Sequence, residues 1–469
     1  MNRLDFISSF WQRYYLFIVG AFCFLFALIG SLVSLHRYWQ YEAFYFDFGI
    51  FDQAIWNVSR FKPPVIEHFV IGSKWIFADH FNPSIFLLSP LYWLTSRSEM
   101  LLIVQAVIVA ISGFVLFSFA NRILKNSFAS FVILYCYFFF VGLHNAIITD
   151  FHEVTIMTLP LMLTFWMIVK KRVILYFLFL LITLGFKEIF FTLGVGIGIA
   201  IFFIQPSWKK IGVMTILLSI LWGMFGMYIV IPYFLGGEYI YTPELPQTIS
   251  GKILSFVDQP VKRHTIFWSF ASFGFFPIFS PAFWASIVQD YVVRFMPNNV
   301  PTRWGLGLHY NAQSAVLFSL STVYGFLFWK KRLSARMFGI LLVLLLSISG
   351  FISVIVLKTP FALAFNSAFY QHSRDFGFLD SLVKKIPSSG SVMTHNNLLA
   401  RFSHQKVWIL RENYESDKPE YILFDMRDGQ NPNNFFATRN FNRIPELLKN
   451  DPNYILMYHT DEQFIYKRK

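Results

Sequence analysis

The segment YFDFGIFDQAIWN, residues 45–57, is the stretch on which the reading turns. Ile50, Phe51, Ala54, Ile55 and Val58 recur at helical spacing and make one apolar face. Asp52, Gln53, Trp56 and Asn57 fall on the other. The pattern predicts a short amphipathic helix lying at a membrane surface, with Asp47 and Asp52 held toward water. Just before it, Tyr15 to Leu35 is a run long and apolar enough to span a bilayer.

Working outward, the 469 residues are 56% hydrophobic and only 14% charged, with 59 Phe, which points to many membrane spans. The net charge of +13 does not indicate nucleic acid, because Lys and Arg lie in short clusters between apolar runs, where they set topology. Cys23 and Cys136 both sit in apolar runs, so neither a disulfide framework nor a CxxC metal site is available. Arg3 and Arg13 before the first span place the N-terminus in the cytoplasm. Residues 36–99 then form a large first outer loop. Within it, His80 to Leu94 is broken by Pro83 and Pro90 and reads as re-entrant or interfacial.

Further runs at 100–120, 128–148, 154–169, 173–186, 189–204, 211–234, 265–280, 281–295, 312–328 and 337–357 bring the expected total to about eleven spans. Twelve of the fourteen acids in residues 1–358 then face outward, which marks an extracytoplasmic working face. Residues 359–469 hold 14 Lys and Arg and 12 Asp and Glu, a density that predicts a soluble outer domain. A helical stripe from Phe376 to Ile386, strand-like runs at Val407, Tyr421, Tyr454 and Phe464, and a helix at Ile444–Leu448 predict a small α/β fold. It carries no nucleotide-binding glycine motif. The expected fold is thus a mainly α membrane protein with a small extracytoplasmic α/β C-terminal domain.

Several blocks carry a resemblance. FDFGIFDQAIWN (46–57), ADHFNPSIFLLSPLYWL (78–94), DFHEVTIMTLPL (150–161) and FKEIFF (186–191) resemble the bacterial multi-pass family called domain of unknown function 2079. IPSSGSVMTHNNLLARFSHQKVWIL (386–410) and KPEYILFD (418–425) fit its outer C-terminal part. That family is grouped with GT-C glycosyltransferases. The resemblance therefore implies a GT-C-like bundle in the bacterial inner membrane, working on a polyprenyl-phosphate-linked sugar donor. It also implies an essential acid in the first outer loop, which Asp47 or Asp52 would match. Ile189 departs from the pattern, since the family usually has an acid after the Lys-Glu pair.

Each candidate has a plain reading beside the chemical one. A carboxylate at Asp47 or Asp52 can take the proton of an acceptor hydroxyl, whether on a lipid, glycan or protein. Alternatively Asp47 caps a helix and Asp52 is its solvated face. Asp79, His80, Asp150, His152 and Glu153 are ligand types suited to Mg²⁺ or Mn²⁺, but without metal-specific spacing; the acids also suit a helix start. Lys187 and Glu188 interrupt an apolar run; the lysine can neutralise a lipid phosphate, or the two can pair at a tight turn. Arg294, Arg303, His309 and Tyr310 offer a second phosphate clamp or an ordinary loop rim. Trp56, Trp75, Tyr92, Trp93 and Trp304 read as an interfacial belt. The expected activity is glycosyl transfer; the alternatives are a lipid or glycan transporter or flippase, or a non-catalytic assembly protein.

Overall fold

The computed structural model describes residues 3–67, 72–427, 431–434, 443–460 and 462–469. Among these, six helices are long and apolar enough to cross a membrane: Ser9–Trp39, Glu99–Leu124, Glu153–Lys170, Pro206–Leu235, Asn311–Lys330 and Ala335–Val356. A seventh crossing is made if Ser127–Phe139 and Val141–Ile148, bent by 50°, count as one span. The bend falls at Phe140, whose extended backbone interrupts the helical ladder.

The expected eleven spans are therefore corrected to six or seven. Those that drop out are Val173–Leu184, Phe191–Ile204, Pro260–Ser272 and Pro281–Phe295, of 12, 14, 13 and 15 residues. At 1.5 Å per residue they reach only about 18–23 Å, against a hydrocarbon core of about 30 Å. Where they are buried they pack on other helices. Phe191–Ile204 lies against both Lys209–Phe225 and Pro281–Phe295. Glycines allow the approach: a Cβ on Gly198 would stand 2.7 Å from the Gly212 carbonyl oxygen, and one on Gly196 3.0 Å from Ser286 Cα. Asn311–Lys330 is the most enclosed of the long helices and contacts segments from most of the bundle.

The segment with Pro83 and Pro90 is a 3₁₀ stretch, Pro83–Trp93, too short to span. It is anchored by the Ser84 N–H donating to Gly185 O at 2.9 Å. The C-terminal region forms a five-stranded sheet from β1 (Val392–Thr394), β2 (Val407–Ile409), β3 (Tyr421–Asp425), β4 (Tyr454–Thr460) and β5 (Gln463–Arg468). The order is β2-β1-β3-β5-β4. β1 runs parallel to β2 and β3, while β5 is antiparallel to β3 and β4. β1, β2 and β3 are buried at every position, as a covered parallel layer requires.

This region packs on the first loop. Arg401 lies over the Tyr38 ring at 3.5 Å, and Arg411 pairs with Glu67 at 2.9 Å. The Ile50–Ser59 helix exists as expected, yet its polar face is not wet. Asp52 is 0% exposed and Gln53 is buried, because residues 403–405 lie on that side. The reading of Asp52 as a water-facing acid is corrected accordingly.

Candidate functional site

Asp47 sits where the chain turns from an extended stretch into the Ile50–Ser59 helix. Its φ of 108° and ψ of −84° lie where a non-glycine residue is strained. It does not cap the helix, whose first turn has no side-chain cap. Instead its carboxylate is 52% exposed and lies 3.4 Å from His152 Nε2. The strained turn is held by backbone donors. The Phe44 N–H donates to Asp150 Oδ2 at 3.2 Å, and the Phe46 N–H to Asn396 Oδ1 at 2.9 Å.

From Asp47 a chain of charges runs inward. His152 Nδ1 is 3.3 Å from Glu153 Oε2, and Lys187 Nζ donates to Glu153 Oε1 at 2.9 Å. Burial alone would push the His152 imidazole down; Asp47 and Glu153 outweigh it and hold the group up at about 10, so it is a cation at neutral pH. Burial likewise disfavours the Lys187 ammonium, but Glu153 holds it above its ordinary value. His309 stacks on His152 with ring centroids 3.4 Å apart. Burial and the neighbouring His152 charge push His309 well down, so it is neutral, and its buried Nδ1 has no hydrogen-bond partner.

Glu188, next to Lys187, begins a second chain. Its Oε1 is 3.0 Å from His80 Nδ1 and accepts from Tyr239 Oη at 3.0 Å, while Oε2 accepts from the Phe81 N–H at 3.1 Å. The Tyr241 hydroxyl donates to Asp79, and its ring stacks on His80. Between this chain and the loop at 300–310 lies a largely apolar cavity of ≈ 250 Å³. Lys187, Arg303, Tyr310 and Tyr239 are among its lining. Arg303 Nε is buried without a hydrogen-bond partner.

Arg294 belongs to the scaffold of that loop. Its guanidinium donates to Arg303 O (2.9 Å), Gly305 O (3.0 Å), Asn311 Oδ1 (2.9 Å) and Ser314 Oγ (3.0 Å), and lies 3.6 Å from Asp290. Little of it is left to clamp a phosphate.

Asp52 stands apart. Tyr92 and Ser403 hydroxyls donate to it, Ser98 Oγ does so at 2.7 Å, and His404 Nε2 is 3.2 Å away. Burial would raise its pKa, but His404 and these hydroxyls win and hold it below the usual range. His404 in turn stacks on Trp56 at 3.9 Å.

The structure thus brings Asp47, His152, Glu153, Lys187 and His309 together, with His80 and Glu188 alongside. Asp52 is in a separate cluster. The residues considered for a divalent cation do not gather: among the described residues no three His, Cys, Asp or Glu side chains converge as metal ligands would. Sequence reading missed Tyr239, Tyr241, Asn396, Ser403 and His404. Polar residues in a loop or a tail give no pattern that says which distant acid they meet.

Comparison with curated proteins finds no match. The fold is similar to that of ArnT from Cupriavidus metallidurans, whose crystal structure is bound to undecaprenyl phosphate. The TM-score is 0.57 at 10% identity, over 96% of this chain and 97% of that one. At that identity the likeness is one of fold. Residues 37–464 match the family described as Predicted membrane protein (DUF2079), and the chain belongs to that family.

Proposed function

We propose that the chain is a multi-pass glycosyltransferase of the bacterial inner membrane. It transfers a sugar from a polyprenyl-phosphate donor to a lipid, glycan or protein acceptor at the extracytoplasmic face. In this reading residues 1–358 form the membrane body, and residues 359–469 an outer domain. One observation carries it: a strained, half-exposed carboxylate is linked through two buried charges, His152 and Glu153, to Lys187, which with Arg303 lines a largely apolar cavity. Such a cavity suits an isoprenoid chain ending in a phosphate.

In the reaction the acceptor hydroxyl gives its proton to Asp47 as its oxygen bonds to the anomeric carbon. The bond from that carbon to the phosphate oxygen breaks, and the departing phosphate is neutralised by Lys187 and Arg303. The protonated His152 orients Asp47, and Glu153 holds His152 and Lys187 in line. His80, Glu188 and His309 complete the walls around the donor. Asp52 anchors the loop rather than meeting substrate.

The test uses the whole protein in nanodiscs with a radiolabelled polyprenyl-phosphate sugar and membrane lipid extract as acceptor. Asp47→Asn is expected to lose transfer by about 10²–10⁴-fold while still binding undecaprenyl phosphate. Full transfer by this variant would remove the assignment. Movement of the labelled lipid across the bilayer without chemical change would favour a transporter.

A further inference from the structure

The geometry points to Asn396, in the C-terminal region, as a positioning residue for the Asp47 carboxylate. This rests on Asp47 being the acid of the proposed reaction. A residue at φ 108° persists only where its neighbours over-determine it. The restraint comes from two backbone donors just before Asp47. Before it, the Phe44 N–H is fixed on Asp150, within the membrane body. One peptide earlier than the bond that carries the strained φ of Asp47, the Phe46 N–H donates to Asn396 Oδ1, 350 residues away.

The orientation of the Asn396 amide is defined. Its Nδ2 donates to Asn433 O at 3.0 Å, so the carbonyl oxygen must face Phe46. Asn396 is buried and opens a short helix two residues after the buried strand β1. Its position is therefore that of the sheet, not of a free loop.

A second fastening follows. Ser403 and His404 hold Asp52, and Gln53 Nε2 donates to Gln405 O at 2.7 Å. The turn that presents Asp47 is thus bracketed by the C-terminal region at Phe46 and again one helical turn further on. Without Asn396 the Tyr45–Phe46 peptide is free to rotate, which lets the turn relax and swings the Asp47 carboxylate away from His152. On this account the C-terminal region does not itself react; it sets where the acid points.

Hydrogen–deuterium exchange of the full chain in nanodiscs tests this. Segment 44–49 is expected to be protected in the wild type. Asn396→Ala should speed exchange there by about tenfold or more, leaving segment 443–450 unchanged. Asn396→Asp keeps the acceptor for the Phe46 N–H but loses the donor to Asn433 O, so it should restore part of the protection.

The His152 imidazole gives a second readout by NMR of histidine-labelled protein. It faces Asp47, Glu153 and His309, with Lys187 behind Glu153. Its titration should fall toward the ordinary value in Asn396→Ala, as in Asp47→Asn, and fall less in Asn396→Asp. Transfer by Asn396→Ala should lose kcat with little change in donor KM.

Unchanged exchange and an unchanged His152 titration in Asn396→Ala overturn the proposal. So does solvent-rate exchange of segment 44–49 in the wild type, whether or not Asn396→Ala folds. If exchange and titration respond as expected but the wild type transfers no sugar, Asn396 still positions Asp47 and the assigned reaction is what fails.

Discussion

Asp150 shows how one charge can be tolerated at a cost. Burial, then the Asp47 carboxylate, push its carboxyl up to about 7, against the opposing Phe44 N–H. The folded state therefore binds this proton more tightly than the unfolded chain does. The contribution of the group is fully favourable below its ordinary value near 3.8 and is lost as pH rises through about 7. Asp150→Asn keeps an oxygen for the Phe44 N–H, removes the charge, and suits the left-handed φ of 55°. The variant should match the wild type near pH 4 and exceed it by about 2–4 kcal/mol at pH 8. Thermal unfolding in detergent at the two pH values checks this; an equal melting temperature at pH 8 would show that Asp150 is not strained by its charge.

The Ile50–Ser59 helix is where sequence and structure part most instructively. Its helical spacing was legible in residues 50–58, and the strain at Asp47 was not. The pattern also set Asp52 on the polar face, yet polarity in a window says nothing of a tail 350 residues on that covers that face. The same holds for the site. Asp47, His152, Glu153 and Lys187 each stood out as ionisable groups beside apolar runs. Their pairing into one chain depends on how three separate segments pack. Covered as it is, Asp52 works at the scale of the element, fastening the helix to Tyr92, Ser98, Ser403 and His404. Asp52→Ala leaves those donors without their acceptor and should cost about 3–5 kcal/mol of stability. Ser403→Ala removes one donor and should cost about 1 kcal/mol. Melting temperatures and the rate of proteolytic release of the C-terminal region report both. A stable Asp52→Ala that loses only transfer would move Asp52 into the reaction itself.

For the whole molecule, hydropathy overcounted spans because apolarity in a window does not say whether the helix is long enough to cross the bilayer. The proposed sidedness is compatible with the smaller number of spans. The four short helices come as two consecutive pairs, Val173–Leu184 with Phe191–Ile204 and Pro260–Ser272 with Pro281–Phe295, each leaving and returning. Removing two pairs from eleven crossings keeps the parity of every segment outside the pairs, so with seven spans Asp47, Asp150, Tyr239 and Arg303 still share one side; Lys187, at the turn inside one pair, is brought to them by its contact with Glu153. Their mutual contacts require the same thing. Lys171, Lys209 and Lys331 mark the opposite side, where positive charge belongs in the cytoplasm. Single cysteines at Glu238 and Lys406 should therefore react with a membrane-impermeant maleimide on intact cells. Cysteines at Lys209 and Lys331 should react only after the membrane is opened. Cys23 and Cys136 are buried and give little background. Labelling of Lys406→Cys and Lys331→Cys from the same side would break the seven-span parity and separate Asn396 from the acid it is proposed to position.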